Sequence, residues 1–224
     1  VWDDRNVYQS GYFEIDGDVF GNYKLSGYKL WDYGFDYYAP QSFETEDGRR
    51  IHISWMGMPD CEEYTNLTIE DGWQHCFSFP REIYIKDGKI CQRPIRELEE
   101  KKHDEISAKD YLAEIGNPLQ ETLIEGIHKN QFEVVLADEL VLEYKDGRFQ
   151  MRFKHPEKSG VSAGRYLRYV EIEEVKNLRI LTDISSAEVF VNDGEYVFST
   201  RYYPKKYGIS VKAPGAEIIL ARIS

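Results

Sequence analysis

Little in this 224-residue sequence points to a membrane, a nucleic acid or a metal. No apolar run approaches the ~20 residues that cross a bilayer as a helix. Basic residues are scarce: Lys and Arg number 28 against 40 Asp and Glu, a net charge of −12. That sign repels phosphate backbones and anionic headgroups, so neither nucleic acid nor membrane is an expected partner. The three cysteines, Cys61, Cys76 and Cys91, are an odd number and imply no closed disulfide framework. Unpaired thiols suit a reducing cytoplasm. There is no Cys-x-x-Cys or His-x-x-x-His pattern, and His52, His75, His103, His128 and His155 are scattered, so no metal or cofactor is expected. The opening Val1-Trp2-Asp3-Asp4-Arg5 has no Met, no basic region and no apolar core. The expectation is a chain without a signal peptide that starts downstream of the translation start.

What is present favours strands. Hydrophobic residues make up 42% and charged residues 30%, a balance that folds rather than stays disordered. Arg50-Ile51-His52-Ile53-Ser54-Trp55-Met56 alternates with period two. Glu82-Ile83-Tyr84-Ile85-Lys86 does the same and turns at Asp87-Gly88 into Lys89-Ile90-Cys91-Gln92, a hairpin signal. The pattern recurs from Leu140 to Phe153 across Lys145-Asp146-Gly147. It appears again from Ala187 to Phe198 across Asn192-Asp193-Gly194-Glu195. Many short strands with regular turns predict an all-β protein of sandwich or propeller type.

The rhythm breaks between Pro94 and Gly116. This segment is charged, carries Glu99-Glu100-Lys101-Lys102, and has Pro94 where a first helical position would suit it. Gly116-Asn117-Pro118 stops whatever precedes. Alternation returns at Gln131-Phe132-Glu133-Val134-Val135-Leu136. The expected organisation is an all-β unit over 1–98, a linker with a possible helix over 99–117, and a second all-β unit over 118–224.

One stretch could carry chemistry: Asp32-Tyr33-Gly34-Phe35-Asp36-Tyr37-Tyr38-Ala39-Pro40-Gln41-Ser42-Phe43. Acids among aromatics suit sugars, because ring faces stack on C–H surfaces and carboxylates accept hydrogen bonds from hydroxyls. An aromatic strand packed in a core, with Asp36 bonded to backbone, is the other reading. Arg81-Glu82 reads as an internal ion pair that orders its sheet, and Ser185-Ser186 as strand packing. Asn66-Leu67-Thr68 fits a glycosylation sequon.

The same stretch carries a family resemblance. Gly34-Phe35-Asp36-Tyr37-Tyr38-Ala39-Pro40-Gln41 resembles the G-x-D-[FY]-Y-A-P-Q segment of glycoside hydrolase family 32. Gly48-Arg49-Arg50-Ile51 with Ser54-Trp55-Met56 is similar to that family's G-R-R-I…[GS]-W-[ML] strand. Trp73 followed by Phe79-Pro80-Arg81-Glu82-Ile83, and Gln92-Arg93-Pro94-Ile95-Arg96-Glu97-Leu98, resemble its next two segments in order. Asp183-Ile184-Ser185-Ser186-Ala187-Glu188-Val189-Phe190-Val191-Asn192-Asp193-Gly194-Glu195, then Ser199-Thr200-Arg201 and Tyr203-Pro204, resemble the signature of its C-terminal sandwich.

The resemblance implies a fold: the last one to two blades of a five-bladed β-propeller, the linker, then a β-sandwich. It implies a chemistry as well, the retaining cleavage of β-fructofuranosides. An Asp attacks the anomeric carbon and a Glu protonates the leaving oxygen, with the carboxylates about 5 Å apart. The family's N-D-P-N-G, R-D-P and E-C-P motifs do not occur here, and Asp60-Cys61-Glu62 lies on the wrong side of the Asp36 segment to be E-C-P. No catalytic residue is therefore assigned. The resemblance places Asp36, Tyr38 and Trp55 at the sugar pocket, Asp36 as hydrogen-bond acceptor, Trp55 as aromatic wall and Tyr38 in support. The expected function is the C-terminal part of a β-fructosidase acting on sucrose or sucrose 6-phosphate, inactive alone. The alternative is a non-catalytic carbohydrate-binding or interaction module. An incomplete propeller would expose apolar flanks, so the expected partners are a fructoside and either a second copy or a complementary N-terminal fragment.

Overall fold

A computed structural model of the protein describes residues 10–57, 66–108, 111–114, 118–129, 131–156 and 166–224. Two small antiparallel ribbons come first: β1 (Gly11–Tyr12) pairs with β4 (Lys29–Leu30), and β2 (Ile15–Gly17) with β3 (Tyr23–Leu25). A four-stranded antiparallel meander follows: β5 (Tyr38–Glu44), β6 (Arg50–Trp55), β7 (Arg81–Lys86) and β8 (Lys89–Pro94), in that order. At the β7–β8 turn Asp87 and Gly88 both have positive φ, 50° and 74°, as a two-residue turn that follows strand twist requires.

The remaining strands build a sandwich. They are β9 (Lys102–Ala108), β10 (Tyr111–Glu114), β11 (Gln120–Glu125), β12 (Gln131–Leu136), β13 (Leu140–Lys145) and β14 (Arg148–Phe153). Next come β15 (Leu167–Glu171), β16 (Leu178–Thr182), β17 (Ser186–Val191), β18 (Tyr196–Arg201), β19 (Gly208–Lys212) and β20 (Glu217–Ile223). One sheet runs β18-β17-β16-β11-β20-β9 and the other β10-β19-β12-β13-β14-β15. Inward residues of both, among them Val134, Leu142, Phe149, Met151, Val189, Phe198 and Ile218, form a single buried core. Alternation drives this: successive strand residues point to opposite faces, so every second apolar residue reaches the core.

The sheet containing β17 is buried on both faces. Beyond the core, Leu181, Phe190, Val197 and Ile223 make a second cluster against Phe79 and Leu98. This explains why Ser186–Val191 is buried throughout and does not alternate in polarity.

The segment expected as a linker is different from the reading above. A 3-10 helix spans Arg96–Lys101, as the charged run suggested, but β9 and β10 follow at once and extend the two sheets as edge strands beside β20 and β19. Both sheets thus reach back before residue 118. The sequence of β9, Lys-His-Asp-Glu-Ile-Ser-Ala, is charged because an exposed edge resists unwanted pairing that way. The same charge hides the alternation.

Residues 32–36 lie along β18, the far edge of its sheet. Tyr33 N–H donates to Val197 O at 2.7 Å, and Phe35 N–H to Ser199 O at 2.7 Å. Phe35 enters the core, where burying such a ring is worth about 1.5–3 kcal/mol. Gly34 permits this approach: a Cβ there would sit 2.1 Å from Ser199 O.

Candidate functional site

The four-stranded sheet and the sandwich meet across a buried polar seam. Arg81 on β7 is fully buried, and its guanidinium is saturated. Nε donates to Glu188 Oε2 at 2.9 Å and Nη2 to the same oxygen at 2.5 Å. Nη1 reaches Asp32 Oδ2 at 3.0 Å and Gln92 Oε1 at 3.2 Å, and Nη2 reaches Ser199 Oγ at 2.6 Å. The ring of Tyr37 lies 4.3 Å from the guanidinium carbon. The acids are held in turn. Asp32 Oδ1 accepts from the N–H groups of Gly34 and Ser199, both at 2.8 Å, and Glu188 Oε1 accepts from Phe79 N–H at 2.6 Å. Burial pushes both carboxyls up, and Arg81 pulls both back. His52 shares a 3.1 Å hydrogen bond with Tyr37 and is held down at about 4, by burial first and by Arg81 second.

Arg81 and Glu82 point to opposite faces of β7, as strand neighbours must. They do not pair with one another: Glu82 takes Arg93 at 2.7 Å, whereas Arg81 binds across the seam.

Asp36, expected at the sugar, is placed at the seam as well. It is 2% exposed, and its Oδ2 accepts from Arg201 N–H at 2.8 Å and Thr200 Oγ1 at 3.3 Å. A carboxylate enclosed in this way presents no surface to an incoming hydroxyl; it fixes β18 instead. Arg201 continues the chain of contacts. Its side chain donates to Ser185 O (3.1 Å), Ser185 Oγ (3.2 Å), Thr68 Oγ1 (3.3 Å) and Gln74 O (2.9 Å). The bond to Gln74 ties the segment 73–77 to the sandwich.

Tyr38 and Trp55 do come together. They are direct partners across β5 and β6, with ring centroids 6.3 Å apart at 64°. A bulge between Tyr38 and Gln41, where Ala39 has φ 49° before Pro40, aims this end of β5. Trp55 also meets the ring of His75 at 5.0 Å and 81°. The neighbouring segment is pinned to β6: Trp55 bridges to Phe77, and Met56 N–H donates to Cys76 O at 2.9 Å. Gly57 packs under the indole, where a Cβ would lie 2.4 Å from Trp55 Cε2. The result is a half-buried aromatic ledge of Tyr38, Trp55 and exposed His75. Its backing runs from Arg201 through Gln74.

Sequence reasoning missed Asp32, Glu188 and Arg201 as one system, and His75 as a member of the ledge. The partners of Arg81 lie 49 and 107 residues away, a separation at which periodicity carries no signal. The sequon has a structural explanation: Thr68 is buried, and Asn66 Oδ1 accepts from Tyr203 Oη at 2.7 Å. Ser186 lies in β17, and Ser185 serves Arg201. Cys76 and Cys91 are free thiols, burial raising Cys76 to about 11; Cys61 and the Asp60-Cys61-Glu62 run lie outside the described residues.

Comparisons with known proteins agree along nearly the whole chain. A family model described as glycosyl hydrolases family 32 N-terminal domain matches residues 3–94, and one described as glycosyl hydrolases family 32 C terminal matches residues 132–223. A sucrose-6-phosphate hydrolase of Bacillus subtilis is 32% identical over 210 residues, covering 89% of this chain and 43% of that protein. A raffinose invertase of Escherichia coli is 33% identical over 229 residues, covering 90% and 44%. The chain therefore spans less than half the length of these curated relatives. Among solved structures, a sucrose-6-phosphate hydrolase from Lactobacillus gasseri superposes with a TM-score of 0.82 at 24% identity, over 98% of this chain and 49% of that one. A Bombyx mori β-fructofuranosidase mutant solved in complex with sucrose gives 0.74 at 23%, over 97% and 47%.

Proposed function

The chain belongs to glycoside hydrolase family 32, and we propose that it forms the C-terminal part of a retaining β-fructosidase acting on sucrose or sucrose 6-phosphate in the cytoplasm. On this reading β5 to β8 are a propeller blade, and residues 1–98 hold the last one to two blades of five. The observation that carries the reading is the Tyr38–Trp55 ledge, with its backing in the sandwich. Tyr38 and Trp55 offer ring faces and edges to the C–H surface of a fructosyl unit, and His75 adds a polar ring edge beside them. Asp36 acts behind the ledge by holding the backbone of Arg201.

Double displacement needs a carboxylate nucleophile and a carboxylic acid about 5 Å apart. The motifs that carry those groups in the family do not occur in this sequence. The chain accordingly supplies pocket wall and scaffold, and other residues of a complete enzyme supply the reacting carboxylates. Without nucleophile and acid, only positioning remains.

Two measurements test this. Incubation of the pure chain with sucrose and with sucrose 6-phosphate should release no fructose; release above that of a heat-inactivated control refutes the assignment of the carboxylates elsewhere. Fructose should change tryptophan fluorescence saturably, and Trp55→Phe should remove the change. A signal indifferent to Trp55 refutes the ledge.

A further inference from the structure

A concavity lies away from the ledge, on the outward face of the sandwich sheet that contains β12 and β19. There a cavity of about 440 Å³ opens beside Val135, Ala137, Gly208 and Ser210. Core residues of these strands are Val134, Leu136, Ile209 and Val211, so alternation turns 133, 135, 208, 210 and 212 outward, and Ala137, in the turn after β12, lines the rim. Three of the lining positions are Ala, Gly or Ser, and the trough is the space a larger side chain would fill. Its floor is apolar where Val135 faces Ser210 across the strands, and Val135 is itself buried.

Two ion pairs bound the trough. Lys154 pairs with Asp138 at one side, and Lys212 with Glu133 at 2.9 Å on the other. Tyr207 lines one end, with its hydroxyl donating to Ile184 O at 3.3 Å. Beyond the Glu133–Lys212 pair a second cavity, of about 590 Å³, continues past Gln131, Glu143 and Lys145. Together they follow β12 from residue 131 to 137, a run of roughly 20 Å at strand rise.

We propose that this trough binds a short neutral oligosaccharide of fructose units, separately from the Tyr38–Trp55 ledge. The choice of fructose rests on the family-based reading above; the trough itself does not. Ion-paired side chains present both donors and acceptors, and vicinal hydroxyls can use the two together. Sugar C–H surface covers the valine floor. Both volumes lie within the ~300–1,000 Å³ of ordinary ligand sites. Lys154 and Lys212, which bound the trough, are each paired with a carboxylate and offer no lone cation to an anion, although Lys206 also lines it. A peptide strand has no edge to join, since β12 lies between β13 and β19, and β19 between β10 and β12.

The test is amide NMR of the full ¹⁵N-labelled chain titrated with 1-kestose. Saturable shifts are expected at residues 133–138 and 206–212, and Trp55→Phe should leave them unchanged. Ser210→Trp, which fills the trough from a half-buried position, should weaken them at least tenfold. Asp138→Ala, at a solvent-exposed turn, should weaken them at least threefold with the rest of the spectrum intact. Shifts confined to the surroundings of Trp55 would overturn the trough while supporting the ledge. Equal response to maltotriose would overturn the fructose assignment, and tighter binding of sucrose 6-phosphate than of 1-kestose would overturn the neutral one. An unshifted spectrum would overturn the site.

Discussion

Replacing Arg81 by Met tests the seam most directly. Methionine matches the length of the stem and removes the guanidinium, leaving the carboxylates of Asp32 and Glu188 buried with side-chain exposures of 0% and 1%. Five donated hydrogen bonds disappear together. Breaking a buried pair from one side costs ~3–5 kcal/mol, mostly because the abandoned charge stays out of water. At this chain length ~1 kcal/mol moves the melting point by ~2–4 °C, so a fall of roughly 6–20 °C is expected in calorimetry. The loss should depend on pH in a set direction. With Arg81 gone, the largest offset to the burial that pushes Asp32 and Glu188 up is lost, so both take protons more readily. Protonation removes the buried charge, and the deficit shrinks as pH falls from 8 to 5. Arg81→Lys keeps the charge but cannot reach Asp32, Glu188 and Ser199 at once, so its loss should be intermediate. Urea denaturation showing under ~1 kcal/mol of loss for Arg81→Met, or a deficit that grows toward low pH, would refute the view that this cluster holds the two parts together.

Four further outcomes follow from the structure. His52 is held at about 4 against an unfolded value of ~6.5, so the unfolded chain takes up the proton first; stability should rise with pH from about 4 to 6.5 by roughly 3 kcal/mol, and His52→Gln should flatten that slope in urea titrations. Glu139 is raised by burial to about 7, which gives the opposite sign: its contribution is complete below ~4 and is lost as pH rises to about 7, so Glu139→Gln should remove a falling slope in the same window. Gly57→Ala should displace the Trp55 indole and alter its near-ultraviolet dichroism with global stability lowered by under ~2 kcal/mol; an unchanged tryptophan signal would show that the ledge is not set by this contact. Exposed Phe13, Phe20, Phe43, Phe77 and Ile85 should drive self-association or pairing with an N-terminal family fragment, so light scattering that gives a monomer at high concentration would count against that partner.

The strands that alternate were legible from sequence because one face is wet. β14 buries every second residue, Phe149, Met151 and Phe153, and the Asp87-Gly88 and Asp146-Gly147 turns have the positive φ that their residues favour. β9 and β10 were not legible: edge strands gain their pairing from a neighbour, β20 or β19, far along the chain, and need no apolar face to announce it. The Tyr38–Trp55 pair could be found because a family motif marks each residue. Asp36 was singled out with both readings open, since a carboxylate among aromatics looks the same whether its acceptor faces a sugar or a backbone N–H; in the structure it accepts from Arg201 N–H.

The buried acids show why composition could not supply the seam. Glu188 sits in the middle of the fully buried β17, and in isolation a glutamate there argues against a strand buried on both faces. It is tolerated because β7 brings Arg81 against it and Phe79 N–H caps its other oxygen. Arg81 in turn has no place in a blade interior without Asp32, which is held by backbone N–H groups of Gly34 and Ser199. Each residue is costly alone and stable in the set. The set closes only when the blade, the 32–36 segment and the sandwich are all in place, so the polar groups specify one docking geometry where apolar contacts between Phe79, Leu98 and Phe190 would allow sliding. That geometry fixes the ledge as well, because Asp36 holds the backbone of Arg201 in the same seam and Arg201 holds Gln74. The sandwich therefore acts on the ledge through a few hydrogen bonds.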